Sequence, residues 1–313
     1  MDKLLIVVLG PTGIGKTDIG IDLARHFHTG IISSDSRQMY RELKIGTAKP
    51  SAQQLAEVKH YFIDNLSIND YYNASLFEVQ ALEVLDGLFK TNNCALLVGG
   101  SGLYINALCQ GIDDLPTIDP AVRQQLLDKF HLEGIEGLRL LLKNYDPEYY
   151  AQADLKNHKR ILKALEVTLM TGKPYSSFLT RERKNRDFKI IKIGLNRPRE
   201  ELYQIIDLRV DQMIEAGLVD EARKFFPYRN LNALNTVGYK EFFEYFDHKI
   251  SLETAISLIK RDSRRYAKRQ ISWFMRDKDI TWFHPSQKEE LLNFILSVQK
   301  QNTVLGIYSR PSS

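Results

Sequence analysis

A six-residue apolar run, Leu4 to Leu9, leads directly into Gly10-Pro11-Thr12-Gly13-Ile14-Gly15-Lys16-Thr17, and a helical pattern follows from Thr17 to Phe27. The octet satisfies G-x-x-x-x-G-K-[ST]. In that pattern glycines let backbone N–H groups close on phosphate oxygens, and the helix N-terminus adds a favourable field. Lys16 supplies a point charge, and the Thr17 hydroxyl can hold Mg2+. A buried strand, a phosphate-cradling turn and a returning helix together demand a sheet with helices packed on it. Gly10, Pro11, Thr12, Gly13, Ile14, Gly15, Lys16 and Thr17 are therefore the candidate phosphate-binding residues.

Further apolar runs occur at 30–33, 94–100 and 189–195. None alternates apolar with polar, so each reads as a strand buried on both faces, with helical patterns such as Leu76 to Phe89 between them. This predicts a parallel α/β sheet. From Asp113 to about Arg186 the strand runs stop, while Asp119-Pro120 and Asp146-Pro147-Glu148 each set an N-capping acid before a first-turn proline. The expected organisation is a P-loop NTPase-like parallel core over residues 1–114 and 187–313, interrupted by an all-helical insertion over 115–186. Within the core, Pro198 should open a helix that Gly217 ends, and another should run from about Leu252 to Phe274. The polar tail from Gln301 should fray.

Cys94 and Cys109 lie fifteen apart with no metal-ligand spacing near either, which excludes a disulfide framework and a readable zinc site. The seven histidines are scattered and none is assigned a metal. No window approaches the roughly 20 apolar residues of a membrane span, and the N-terminal run is too short for a signal peptide. A cytoplasmic location and a monomer are expected. The net charge of +4 permits a polyanionic partner without demanding one.

P-loop enzymes that hydrolyse nucleotides usually carry an acid at the end of a second buried strand. Here Ala95 to Val98 ends in Gly99-Gly100-Ser101-Gly102, with no acid, whereas Asp35 follows the strand at 30–33. Because carboxyl ends of parallel strands open on one crevice, Lys16, Asp35 and Ser101 should meet there. By itself, Asp35 fits a turn residue equally well. In the helix after Pro198, Leu202, Ile205, Ile206, Arg209 and Met213 form one stripe, which sets Arg209 on the apolar face. A guanidinium there needs an anion, either a core acid or a ligand. Between Ala255 and Lys278 eight Lys/Arg face only Asp262 and Asp277, a local net charge of +6, with Tyr266, Trp273 and Phe274 interleaved as possible stacking surfaces. A second basic ridge holds Lys156, Lys159, Arg160 and Lys163, opposite Ile161, Leu165 and Leu169. Each ridge is either an RNA surface or a solvated face.

Taken in order, several segments resemble the tRNA dimethylallyltransferases: the Gly-Pro-Thr opening of the P-loop, Ser34 to Tyr40, Ile45 to Pro50, His60 to Asp64, Gly99 to Tyr104, Val237-Gly238-Tyr239, and Ala267 to Gln270 before Trp273. The resemblance runs from residue 10 to residue 273. It implies transfer of a dimethylallyl group from its diphosphate to N6 of adenosine 37, beside the anticodon of tRNA, with Mg2+. The P-loop then holds the donor diphosphate rather than ATP. By resemblance, Arg209 also contacts diphosphate, Ser101 aligns the attack, and Lys159, Arg160, Ile161, Leu162 and Lys163 meet tRNA; Asp35, Ser36, Arg37 and Gln38 are placed at the target base, Arg123 is a candidate backbone clamp, and Lys268 and Arg269 are added from the basic helix. An exocyclic adenine amine is a weak nucleophile, so Asp35 is the candidate base, and Lys16 assists departure of diphosphate. The chain departs from the family at Gly13-Ile14, where Ala-Ser is common, and at Ser101, where Thr is common. Rival readings are a free-adenylate isopentenyltransferase, a small-molecule P-loop kinase, and a non-catalytic RNA-binding protein.

Overall fold

The computed structural model describes residues 3–113, 115–116, 119–180 and 182–308, with the side chains of 301–308 left aside. Contact density divides the chain into two units, Met1–Cys109 with Arg186–Ser313, and Gln110–Asn185.

The first unit holds six strands: β1 (Leu4–Leu9), β2 (Ile31–Ser33), β3 (His60–Tyr61), β4 (Cys94–Gly99), β5 (Lys189–Leu195) and β6 (Ile280–Phe283). They form one sheet in the order β3-β2-β4-β1-β5-β6, every pairing parallel. β1 lies inside it, with Leu9 level with Gly99 of β4 and Gly194 of β5. Its side chains alternate between two cores: Leu4, Ile6 and Val8 pack on one face, and Leu5, Val7 and Leu9 on the other. All six are buried, as a strand covered on both faces requires.

Helices of this unit before the second one are α1 (Lys16–His26), α2 (Ala52–Glu57), α3 (Ala74–Phe89) and α4 (Gly102–Gln110). The second unit contains α5 (Pro120–Tyr145), interrupted by non-helical backbone at Gly134, then α6 (Pro147–Gln152) and α7 (His158–Thr171). Both expected caps form: Asp119 accepts from the Ala121 amide and Asp146 from that of Tyr149. Leu126, Leu138, Leu142, Ile161, Leu162 and Leu165 make its core. The chain then returns to the first unit with α8 (Arg199–Glu215), α9 (Leu218–Phe225), α10 (Lys240–Phe246), α11 (Leu252–Phe274) and α12 (Lys288–Tyr308). Helices α8 to α11 bury a third core around Val210, Leu218, Tyr239, Phe242 and Ile259, which takes in Tyr40 and Leu43 from the loop after β2.

Two expectations change. β3 and β6 are edge strands absent from the sequence reading, being two and four residues long and mostly half-exposed. The tail expected to fray from Gln301 is helical to Tyr308, and 309–313 lie outside the described residues. Among the described residues no helix is long and apolar enough to cross a membrane.

Candidate active site

The loops after β1, β2 and β4 leave the same end of the sheet, as parallel strands dictate. After β1 the chain enters the P-loop. Gly13 and Gly15 take φ of +78° and +96°, left-handed values open to glycine, and Gly15 caps α1. Residues Thr12 to Thr17 line a cavity of about 580 Å³, in the range of small-molecule sites. Gly10 and Pro11 do not line it. Pro11 has no N–H, is buried, and offers its carbonyl to Lys16 Nζ at 2.7 Å, so these two residues shape the loop rather than touch an anion. Ile14 is fully buried in the core beside α1, so only its backbone can serve the cradle.

Burial pushes the Lys16 ammonium down to about 7, opposed by Asp35 and reinforced by the positive charge of Arg209. Desolvation also lowers Arg209, opposed again by Asp35. Arg209 donates to Thr12 Oγ1 at 3.2 Å and to the Ala48 carbonyl at 3.3 Å. The stripe on α8 thus turns it to the P-loop, and among the described residues no carboxylate bonds to it.

After β2, Asp35 Oδ1 accepts the amides of Arg37 (2.9 Å) and Gln38 (3.3 Å). Asp35 is therefore a turn residue and also lines the cavity. Ser101, after β4, is not among the residues lining this cavity; its hydroxyl accepts the Ser36 amide at 3.0 Å, and its own amide donates to the Ser34 carbonyl. It braces the β2 loop that presents Asp35. Gln38 spends its amide on the carbonyls of Thr47 and Ala48, and Arg37 donates to the Asn232 carbonyl, so neither side chain is idle.

A second cavity, of about 400 Å³, lies beside the first. Thr12, Asp35, Thr47, Ala48, Arg209 and Tyr266 line both. The Tyr266 phenol is pushed up to about 12 by burial, with Asp35 adding to the effect. The wall carrying Thr47 and Ala48 is held by a residue the sequence did not reveal: Glu221 of α9 accepts the amides of Lys44, Ile45 and Gly46, and the Tyr239 hydroxyl at 2.6 Å. Nothing local marks Glu221, because the backbone amides it accepts lie about 176 residues away.

The basic helix α11 is more neutral than its composition suggests. Lys260 pairs with Asp211, and Arg264 with Asp207, both on α8; Arg261 and Arg265 share Asp262. Lys268 and Arg269 remain exposed, with Arg269 set over the Tyr266 ring. Phe274 is buried and offers no stacking surface, whereas Trp273 and Tyr266 are each 38% exposed.

In the second unit Lys156, Lys159 and Arg160 are exposed. Ile161 and Leu162 are core residues, so the expectation that they touch RNA fails for their side chains. Leu169, placed by the periodicity on the apolar face, is exposed. Arg123 reaches the fully buried Glu166 at 2.8 Å. Burial raises the Glu166 carboxyl and lowers the Lys163 ammonium beside it.

The family model described as IPP transferase matches residues 38–277. The chain belongs to the IPP transferase family. Among members of that family it is 52% identical to tRNA dimethylallyltransferase 1 of Phocaeicola vulgatus over 95% of this chain and 99% of that protein. It is 54% identical to tRNA dimethylallyltransferase 2 of Azobacteroides pseudotrichonymphae, over 92% and 94%. The IPP transferase fold is also shared with the crystal structure of a full-length tRNA isopentenylpyrophosphate transferase from Bacillus halodurans, with TM-score 0.71, 34% identity and coverage of 98% and 99%. A eukaryotic dimethylallyltransferase captured acting on tRNA superposes with TM-score 0.76 at 25% identity, over 99% of this chain and 80% of that one.

Proposed function

We propose that this protein transfers a dimethylallyl group from dimethylallyl diphosphate to N6 of adenosine 37 in tRNA, releasing diphosphate. The observation that carries this reading is the junction of two cavities at Asp35 and Arg209, one cavity cradled by the P-loop and the other bordered by α11. Diphosphate is assigned to Thr12–Thr17 and Arg209. The adenine enters from the second cavity, which requires the nucleotide to leave its stack. As the bond from N6 to C1 of the donor forms, the bond from C1 to the diphosphate oxygen breaks, and Asp35 takes the N6 proton. Lys16 and Arg209 meet the charge that develops on the leaving group.

Cations and hydroxyls dominate the phosphate cavity. Among the described residues no cluster of three His, Cys, Asp or Glu side chains is placed to hold a metal. That donor set fits Mg2+, which binds largely through substrate phosphates and water, with Thr17 as its protein ligand. Bound there, Mg2+ would neutralise charge on diphosphate.

For tRNA we assign Asp35 to Gln38 to the entry of the target base, with Ser101 as the brace beneath them. Lys268 and Arg269 are assigned to the RNA backbone, as are Lys159, Arg160, Lys163 and Arg123 of the helical insertion. One chain supplies every residue at the cavity junction, so a monomer suffices, and a tRNA substrate puts the work in the cytoplasm. A free-adenylate acceptor would leave the exposed cations of α11 without a role.

The deciding experiment offers labelled dimethylallyl diphosphate, Mg2+, AMP, ATP and tRNA with unmodified adenosine 37 together. Label should enter tRNA alone. Label in AMP would favour the free-adenylate rival, and phosphoryl transfer from ATP would favour a kinase.

A further inference from the structure

Gln270 sits on the inner side of α11 and is 7% exposed. Its Oε1 accepts the Thr12 amide at 2.9 Å, and its Nε2 donates to the Gly100 carbonyl at 2.9 Å. These backbone groups belong to different loops, the P-loop after β1 and the turn after β4. Because one partner is a donor and the other an acceptor, the orientation of the amide is fixed, and of the other side chains of this length only an un-ionised carboxylic acid could satisfy both. A carboxylate would turn a lone pair on the Gly100 carbonyl, and a thioether would leave two buried backbone groups unpaired. Gly100 has no room for a side chain, since a Cβ would lie 2.3 Å from Nε2.

Thr12 is also the residue whose hydroxyl receives Arg209. The tip of the P-loop is thus held from two sides, by α11 through its backbone and by α8 through its side chain. We infer that Gln270 is a positioning residue for the diphosphate cradle. It commits the Thr12 amide inward, so that the amides of the residues after it and the Arg209 guanidinium face one anion. The same helix presents Lys268 and Arg269 outward, so one rigid element carries both the RNA-facing cations and the clasp on the donor site.

This inference rests on the prenyl-donor reading, and the experiment separates the two. Inorganic diphosphate with Mg2+ and an anticodon stem-loop are titrated into wild type, Gln270→Glu and Gln270→Met, with melting temperatures recorded. The expected result is diphosphate affinity reduced about tenfold or more in both variants, stem-loop affinity within about twofold of wild type, and a KM rise confined to the prenyl donor. Gln270→Met keeps the volume, so it serves if the charged variant fails to fold. Wild-type-like diphosphate binding in a folded variant would overturn the role of Gln270 alone. Parallel loss of diphosphate and stem-loop affinity with a collapsed melting transition would show a merely structural residue and overturn it as well. A wild type that binds no diphosphate would overturn the donor reading, and this inference with it.

Discussion

Arg209 Nη1 donates to Thr12 Oγ1 at 3.2 Å, joining the middle of α8 to the tip of the P-loop across 197 residues of sequence. Its other contact is a carbonyl, so both partners are neutral. A desolvated guanidinium without an anion is costly, and a bound diphosphate would relieve that cost. Replacing Arg209 with Ala should lower kcat/KM by about 10²–10³, chiefly through donor binding. Steady-state kinetics with donor varied at saturating tRNA test this, and a change seen only in the KM for tRNA would refute it.

Lys16 leads to a pH signature. Its pKa in the free protein is pushed down to about 7, below the ordinary lysine value of 10.5. A polyanion held against it restores the charged form, so above pH 7 binding must take up a proton. Affinity for diphosphate should then fall with rising pH, by up to about tenfold per unit. Below pH 7 the ammonium is already charged, and this dependence should vanish. Calorimetry in buffers of different ionisation enthalpy would detect the proton, and Lys16→Met should abolish the uptake along with most of the affinity.

Asp35 offers a clean substitution. Asn keeps the Oδ1 acceptor that receives the amides of Arg37 and Gln38, so the turn should survive while the base is lost. Turnover should drop by about 10²–10⁴ with stem-loop affinity nearly unchanged. Activity within a few-fold of wild type would remove Asp35 from the role of base.

The cations of α11 should divide by their partners. Lys268 and Arg269 have exposed side chains, whereas Lys260 and Arg264 are paired with Asp211 and Asp207. Replacing Lys268 and Arg269 together with Ala should reduce the slope of log affinity for tRNA against log salt by about 1.5. The Lys260→Ala change should move it by less than half as much. Equal effects from the two sets would show that pairing does not matter to RNA binding.

Arg123 should show two separable effects. Its partner Glu166 is fully buried, and losing Arg123 removes its hydrogen-bonded cation, leaving only the nearby Lys163 ammonium. Because Arg123 is itself half-exposed, Arg123→Ala should cost about 1–2 kcal/mol rather than the full penalty of a buried pair. The raised Glu166 carboxyl is protonated more readily in the fold than in the unfolded chain, so its contribution to stability diminishes as pH rises through the raised value. Denaturant unfolding at acidic and neutral pH checks both, and a stability change no larger than for an exposed Lys→Ala control would count against the pairing.

Local signals made much of this molecule readable. The strand at Leu4–Leu9, the glycine conformations before Lys16, and the Asp-Pro caps at 119 and 146 each depend on neighbours a few residues away, and each has the expected form. Periodicity alone was enough to turn Arg209 inward, since a helical stripe reports which face is apolar. It could not name the partner, because Thr12 arrives from another element.

What only tertiary structure decided concerns polar partners brought together by packing. Side-chain spacing along α11 shows six cations, but pairing Lys260 and Arg264 required α8 alongside. Likewise periodicity set Ile161 opposite the basic ridge around Lys159, but only the packing of α5 on α7 decided that Leu162 is buried with it rather than turned to RNA. Glu221 and Gln270 carry no local signature at all; each works by satisfying backbone groups of distant loops, and such bonds exist only after the sheet has set those loops side by side. Sequence order alone therefore determined the cradle and its strand, because backbone geometry there is local, whereas the charge available to a substrate was decided by the fold, since pairing and desolvation depend on what lies within a few ångströms in space.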